Sequence, residues 1–167
     1  MDEVWITCDE FPDYSISSFG RIVNNKFKRV VKITFTKDGT AKVNLYKDGI
    51  QHTRSLKTLI GCYFVKGKTE VFNTLIHLDG DTSNNSVTNL CWRPRWFALK
   101  YKWQLKEIDR YNKMKLGPII DVRSGLVYKE GIVQAGLTNG LLFSEILLSL
   151  TDQTPVFPTW QVFGQKR

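Results

Sequence analysis

The chain has 167 residues, 42% hydrophobic and 13% aromatic: enough apolar mass for one ordinary domain or two or three small modules, and not the composition of a disordered chain. No apolar run is long enough for a bilayer, the acidic start Met1-Asp2-Glu3-Val4-Trp5 lacks the apolar stretch of a secretory signal, and Cys8, Cys62 and Cys91 are spaced for neither a zinc pair nor a disulfide framework. The net charge of +8 is concentrated, with twelve bases against three acids over residues 21–70 and eight against two over residues 92–116, which suits a polyanionic partner and equally a solvated surface.

Trp5, Phe11, Tyr14, Ile16 and Phe19, interrupted by Pro12 and Gly20, predict short strands and turns. Residues 21–23, 30–35, 41–46 and 51–56 read as further strands. The Asp-Gly turns Lys37-Asp38-Gly39 and Lys47-Asp48-Gly49 mark hairpins in one small antiparallel sheet. Lys42, Lys47 and Arg54 are expected on a solvent-facing side of that sheet. Leu56, Leu59, Ile60 and Tyr63 have helical spacing, and Val65-Lys66-Gly67 ends the helix. Residues 71–92 are turn-rich, with Asn, Asp and Ser dense in the middle, where their side chains bond nearby backbone.

Residues 95–116 lack Gly and Pro, and apolar positions 96, 99, 103, 105, 108, 111 and 114 predict one helix with a broad apolar stripe. Lys100, Lys102, Lys106, Arg110 and Lys113 lie mostly off that stripe, so the helix suits a phosphate backbone or a solvated face. Gly117-Pro118 breaks it. Beyond, residues 118–122 and 126–128 predict a hairpin, residues 132–135 a short helix, and Thr138 or Asn139 the cap of a second helix reaching Leu150. A last strand is expected over residues 159–163. The second helix carries no base, which favours burial or a protein partner over base reading.

Three segments carry a family signal. Glu3-Val4-Trp5, Phe11-Pro12-Asp13-Tyr14-Ser15-Ile16-Ser17 and Gly20-Arg21-Ile22 resemble the N-terminal, NUMOD4-like motif of phage and intron-encoded HNH homing endonucleases. Lys42-Val43-Asn44-Leu45-Tyr46-Lys47-Asp48-Gly49 resembles the strand and turn that follow it there. His77-Leu78-Asp79-Gly80-Asp81 through Asn84-Asn85 and Asn89-Leu90-Cys91-Trp92 is similar to the family's HNH core. The resemblance covers about residues 3–98 well and extends loosely through the C-terminal module. It implies an α+β fold with a small N-terminal antiparallel sheet, a ββα-metal-like core, a basic connecting helix and a C-terminal strand and helix-turn-helix-like module. The corresponding boundaries are 1–55, 56–98, 99–116 and 117–167.

At the active centre the resemblance is incomplete. His77 takes the place of the general base and Asn89 that of the supporting asparagine. Ile76 stands where the family has a ligand-bearing residue before the histidine, and the last ligand falls near Ala98; neither alkyl side chain can hold a metal. Lys57 replaces the histidine of the family's helix start. Asp79 and Asp81 are the candidate carboxylates for rescue of a metal site, although Asp79 matches a turn position. The resemblance therefore implies an impaired or inactive nuclease that still binds nucleic acid, double-stranded DNA before RNA. Lys42, Lys47, Arg54, Arg93, Arg95, Lys100, Lys102, Lys106, Arg110 and Lys113 are the candidate contacts. No cofactor is expected, or Mg²⁺ or Mn²⁺ if the protein is an active nuclease. The remaining alternative is a structural or partner-binding subunit of a viral or ribonucleoprotein assembly, bound through the C-terminal module. No membrane partner is expected. A phage-encoded protein in the host cytoplasm, or in a virion, is the implied setting.

Overall fold

A computed structural model describes residues 2–166 of the chain, which divide into two compact units between Arg95 and Trp96. In the first unit, β1 (Trp5–Thr7), β2 (Tyr14–Ser17), β3 (Ile22–Asn24) and β4 (Arg29–Val30) form an antiparallel sheet in that order. β5 (Ile33–Phe35), β6 (Ala41–Lys47) and β7 (Ile50–Ser55) form a second. The single predicted sheet is thus two, and the predicted strand over residues 30–35 is split between them. Val31 and Ile33 pack on the core while Val30 is 67% exposed, so one straight strand does not serve both sheets.

The β6–β7 hairpin follows the expected chemistry. Lys47 pairs with Ile50 across Asp48-Gly49, both of which have positive φ (51° and 77°), the conformation that a two-residue turn between twisted strands demands. Along β6, Ala41, Val43 and Leu45 are buried, the period-2 burial of a strand with one core face. α1 (Leu56–Phe64) buries Leu56, Leu59 and Ile60 in the same core, which also takes Phe11, Tyr14, Ile16 and Ile22 from the first sheet. A hairpin of β8 (Thr74–His77) and β9 (Leu90–Arg93) closes it. Gly61 lets α1 approach that hairpin, since a Cβ there would stand 2.3 Å from Leu75 Cδ1 and 3.1 Å from Trp92 Cζ2. The Trp92 indole N–H donates to the Val65 carbonyl (3.0 Å), fixing the end of α1 to β9.

The second unit begins along α2 (Arg95–Gln104), which passes through a 3₁₀ turn (Leu105–Glu107) into α3 (Ile108–Lys113). The predicted single helix is therefore interrupted, and its buried face is not the predicted stripe. Phe97, Tyr101 and Gln104 are buried, whereas Trp96, Leu99 and Trp103 are 49%, 56% and 70% exposed. Phe97 stacks on Tyr101 with ring centroids 6.3 Å apart, and Gln104 turns inward to bond backbone, so apolarity alone marks the wrong face.

β10 (Ile119–Asp121) is the middle strand of a three-stranded sheet, between β11 (Val127–Tyr128) and β12 (Phe163–Gln165). α4 (Ile132–Asn139) and α5 (Phe143–Asp152) pack on it through Ile132, Ala135, Phe143 and Ile146. The predicted cap at Thr138 or Asn139 is not formed. Asn139 instead ends α4, donating to Tyr128 Oη (2.8 Å) and the Ala135 carbonyl (2.9 Å), and Gly140 follows in the left-handed conformation. The predicted strand over residues 159–163 is mostly a turn closed by a Val156–Gln161 bridge, and regular pairing starts only at Phe163.

Candidate functional site

The site lies on the β8–β9 hairpin of the first unit. Its strands pair from Thr74 with Arg93 to His77 with Leu90, leaving the intervening loop to be held by its own polar side chains. Asn89, buried in the 3₁₀ turn Val87–Asn89, does most of this. Its Nδ2 donates to Asp79 Oδ1 (2.8 Å) and to the Asn84 carbonyl (2.8 Å), while its Oδ1 accepts the Asp79 N–H (3.0 Å). Asp79 also accepts the Asp81 N–H on Oδ1 (2.8 Å) and the Asn84 amide on Oδ2 (2.7 Å). Asp81 in turn accepts the Ser83 N–H (2.8 Å) and hydroxyl (2.6 Å), contacts that hold its carboxyl below the usual carboxylate range.

The N-terminal sheets anchor the loop from below. The Val87 N–H donates to the Ser18 carbonyl (2.8 Å) and the Thr82 hydroxyl to the Gly39 carbonyl (2.7 Å). Gly20, at φ 86°, lies so close to Asn85 that a Cβ would stand 3.2 Å from its carbonyl oxygen. The Gly20 and Asp38-Gly39 turns are thus the platform on which the loop rests.

His77, at the end of β8, is 8% exposed. Its Nε2 faces Asn85 Oδ1 at 3.1 Å, and Asn85 is itself oriented by donating to the Thr82 and Ser83 carbonyls (3.2 and 3.1 Å). An acceptor at Nε2 selects the tautomer protonated there and leaves the Nδ1 lone pair for chemistry. Asn85, not Asn89, is therefore the residue that orients His77. Sequence reasoning passed over it, although the Asn84-Asn85 pair was visible.

Burial pushes the His77 imidazole below its ordinary value of 6.5, and the nearby Lys57 ammonium adds to this; the Asn85 contact and the Asp79 and Asp81 carboxylates oppose it without prevailing. A depressed histidine binds its proton more weakly in the folded chain than in the unfolded one. The first unit should therefore lose stability as pH falls below about 6.5 toward the folded midpoint, and keep this contribution above it. An NMR titration of the His77 Cε1 proton should give a midpoint under that value; one at or above it contradicts the burial argument.

The structure brings His77, Ile76, Asp79, Asp81 and Asn89 together on one hairpin. Ile76 is buried on β8, and Ala98 lies half-buried on α2 in the second unit. Among the described residues, no group of three or more His, Cys, Asp or Glu side chains is arranged to hold a metal ion.

The basic candidates are spread over both units. On the second sheet Arg54 pairs with Val43 and lies on the same face as Lys47, while Lys42 lies on the other. Arg54 is engaged by an ion pair with Glu10 and stacks over Phe11, 5.2 Å from the ring centroid. Arg93 is half-buried and donates to the Trp92 carbonyl (2.8 Å). Arg95, Lys100, Lys102, Lys106, Arg110 and Lys113 are exposed, with Lys100 5.3 Å from the Trp96 ring centroid and Arg110 3.5 Å from Glu107.

A histidine ending one strand of a two-stranded hairpin, an asparagine-laced loop and small flanking sheets define a mixed α+β fold. Residues 3–46 match the NUMOD4 motif. The chain is 31% identical over 83 residues to an uncharacterised HNH endonuclease of Acanthamoeba polyphaga mimivirus, covering 50% of this chain and 21% of that protein. It is 32% identical over 79 residues to the DNA endonuclease I-HmuI of Bacillus phage SP01, covering 47% and 45% respectively. It thus spans less than half the length of the curated relatives it matches. The solved structure described as "DNA binding and cleavage by the HNH homing endonuclease I-HmuI" shares the fold, with a TM-score of 0.55 at 21% identity over 98% of each chain. The chain thus carries a NUMOD4 motif at residues 3–46 and, over about half of its length, is similar to HNH endonucleases.

Proposed function

We propose that this chain is an HNH-endonuclease-like nucleic-acid-binding protein whose nuclease centre no longer grips a divalent ion. One observation carries the reading: the carboxylates nearest His77 are spent on the loop's own amides, and the position beside the histidine is a buried isoleucine. Mg²⁺ requires several hard oxygen ligands in near-octahedral array. The Asn89 oxygen is taken by the Asp79 N–H, and Ile76 and Ala98 have no lone pair to give. The residues present therefore do not fit the ion that the family's chemistry implies. Phosphodiester cleavage needs the charge developing on phosphorus to be neutralised, and a neutral imidazole does not do that.

Duplex DNA is the favoured partner, supported by the likeness to I-HmuI and by the exposed bases at Lys47 of β6 and along α2 and α3. α5 carries Glu145 and Asp152 and no base, so phosphate contacts fall to those other elements. With supercoiled plasmid and Mg²⁺ or Mn²⁺, the purified chain is expected to nick no faster than its His77→Ala variant. It should bind a mixed-sequence duplex with an affinity that drops steeply as salt rises. Metal-dependent nicking that disappears in His77→Ala rejects the loss of the centre, and salt-insensitive or absent duplex binding rejects the partner.

A further inference from the structure

We infer that the second unit carries a stacking row for the unpaired bases of single-stranded DNA, running from Trp160 and Phe157 to Trp96 and Trp103. The inference goes beyond the duplex reading above and rests on it only for the choice of DNA over RNA. Trp96, Leu99 and Trp103 recur at i, i+3 and i+7, so they share one face of α2, with Trp103 about 10 Å along the axis from Trp96. All three are exposed, and Trp103 is the most exposed large hydrophobic residue described. The row continues off the helix within the same unit. Phe157 stacks on Trp96 with ring centroids 5.7 Å apart and an interplanar angle of 28°, and the exposed Trp160 meets Phe157 edge to face at 6.0 Å.

The charge around the row selects its occupant. Lys100, Lys102 and Lys106 lie in residues 96–106, which contain no acid. Lys100 Nζ is 5.3 Å from the Trp96 ring centroid, so a cation sits inside the row and not at its rim. Lys102 immediately precedes Trp103, and Lys106 follows it by three residues. Glu145, which accepts a backbone hydrogen bond from Phe157, offsets part of the Lys100 charge. No acid among the described residues forms an ion pair with Lys102 or Lys106. A protein laid on the row would have to strip water from Lys100, and charged residues are depleted at the centre of protein interfaces. A single strand suits both features: its bases stack on the indoles and its phosphates meet the ammonium groups. A duplex keeps its bases inside its own stack and offers the indoles no open base plane.

Trp103→Ala and Trp160→Ala each remove an exposed ring that lies outside the core, and Trp103→Phe keeps a ring able to stack. Each full-length protein is titrated, by fluorescence anisotropy, with labelled oligothymidylate, oligouridylate and a mixed-sequence duplex, and sedimentation velocity reads its assembly state. The parent should bind oligothymidylate more tightly than oligouridylate. Each alanine variant should bind oligothymidylate about 5–100-fold more weakly, with most of the affinity kept in Trp103→Phe and duplex binding unchanged. Urea midpoints equal to the parent's show that the variants fold. The inference is overturned if the parent does not bind oligothymidylate, if both alanine variants bind it as the parent does, or if oligouridylate binds more tightly. It is overturned equally if duplex affinity falls in step with single-strand affinity, or if the parent is a dimer that Trp103→Ala dissociates. A parent that binds oligothymidylate through these rings but no duplex keeps the row and removes the duplex reading; duplex binding without oligothymidylate binding removes the row alone.

Discussion

Asn89→Ala should lower the unfolding free energy of the first unit by about 3 kcal/mol, the scale expected when a buried side chain bonded to a charged group is removed and its partners are left unpaired. Three bonds disappear together: those to the Asp79 carboxylate, the Asp79 N–H and the Asn84 carbonyl. Asn89 is 7% exposed, so water does not simply replace it. Asn89→Asp should be no better, because it sets a second carboxylate against Asp79 Oδ1. Urea unfolding followed by tryptophan fluorescence gives the energy, and hydrogen exchange at the Leu78 and Asp79 amides reports the loop. A loss under about 1 kcal/mol with exchange unchanged would show that the loop is held from the Ser18 and Gly39 side instead.

Gln104→Leu should cost the second unit about 3 kcal/mol despite its similar size, because two buried backbone groups lose their side-chain partner. Gln104 Nε2 donates to the Leu141 carbonyl (2.9 Å), and its Oε1 accepts the Phe143 N–H (2.8 Å). The residue at the start of α5, Leu142, has no side chain able to cap. A glutamine from α2 thus caps a helix almost forty residues later in the chain (|i−j| = 39). Hydrogen exchange at Phe143 should accelerate well beyond that of the α5 interior. A variant as stable as the parent, with Phe143 still protected, would mean that the α4–α5 turn is set by its own packing.

These two amides mark where the sequence could and could not be read. Local chemistry was legible: Asp48-Gly49 demanded a tight turn, Leu56, Leu59 and Ile60 marked the buried side of α1, and the Asp- and Asn-rich run announced a self-bonded loop. Partners distant in sequence were not. Gln104 reads as a polar surface position until Leu141 and Phe143 are brought to it, and counting it as polar put the apolar face of α2 on the wrong side. Within the loop the residue types were visible but their division of labour was not. Asn89 serves the loop and Asn85 the histidine, because only the fold decides which amide meets the imidazole. Val30 and Ile33 read as one strand because periodicity cannot show that the chain changes sheets between them.

The 3₁₀ turn at Leu105–Glu107 resets the azimuth of the lysines and arginines that follow it. Three residues advancing by about 120° each instead of about 100° rotate everything beyond them by about 60°. Lys100 and Lys102 precede this step, while Arg110 and Lys113 follow it. These cations therefore do not line up like the teeth of a comb along one strand of a duplex. They are distributed around the elbow as separate charges, so that on the duplex reading proposed above removing any one of them should trim affinity without erasing a register.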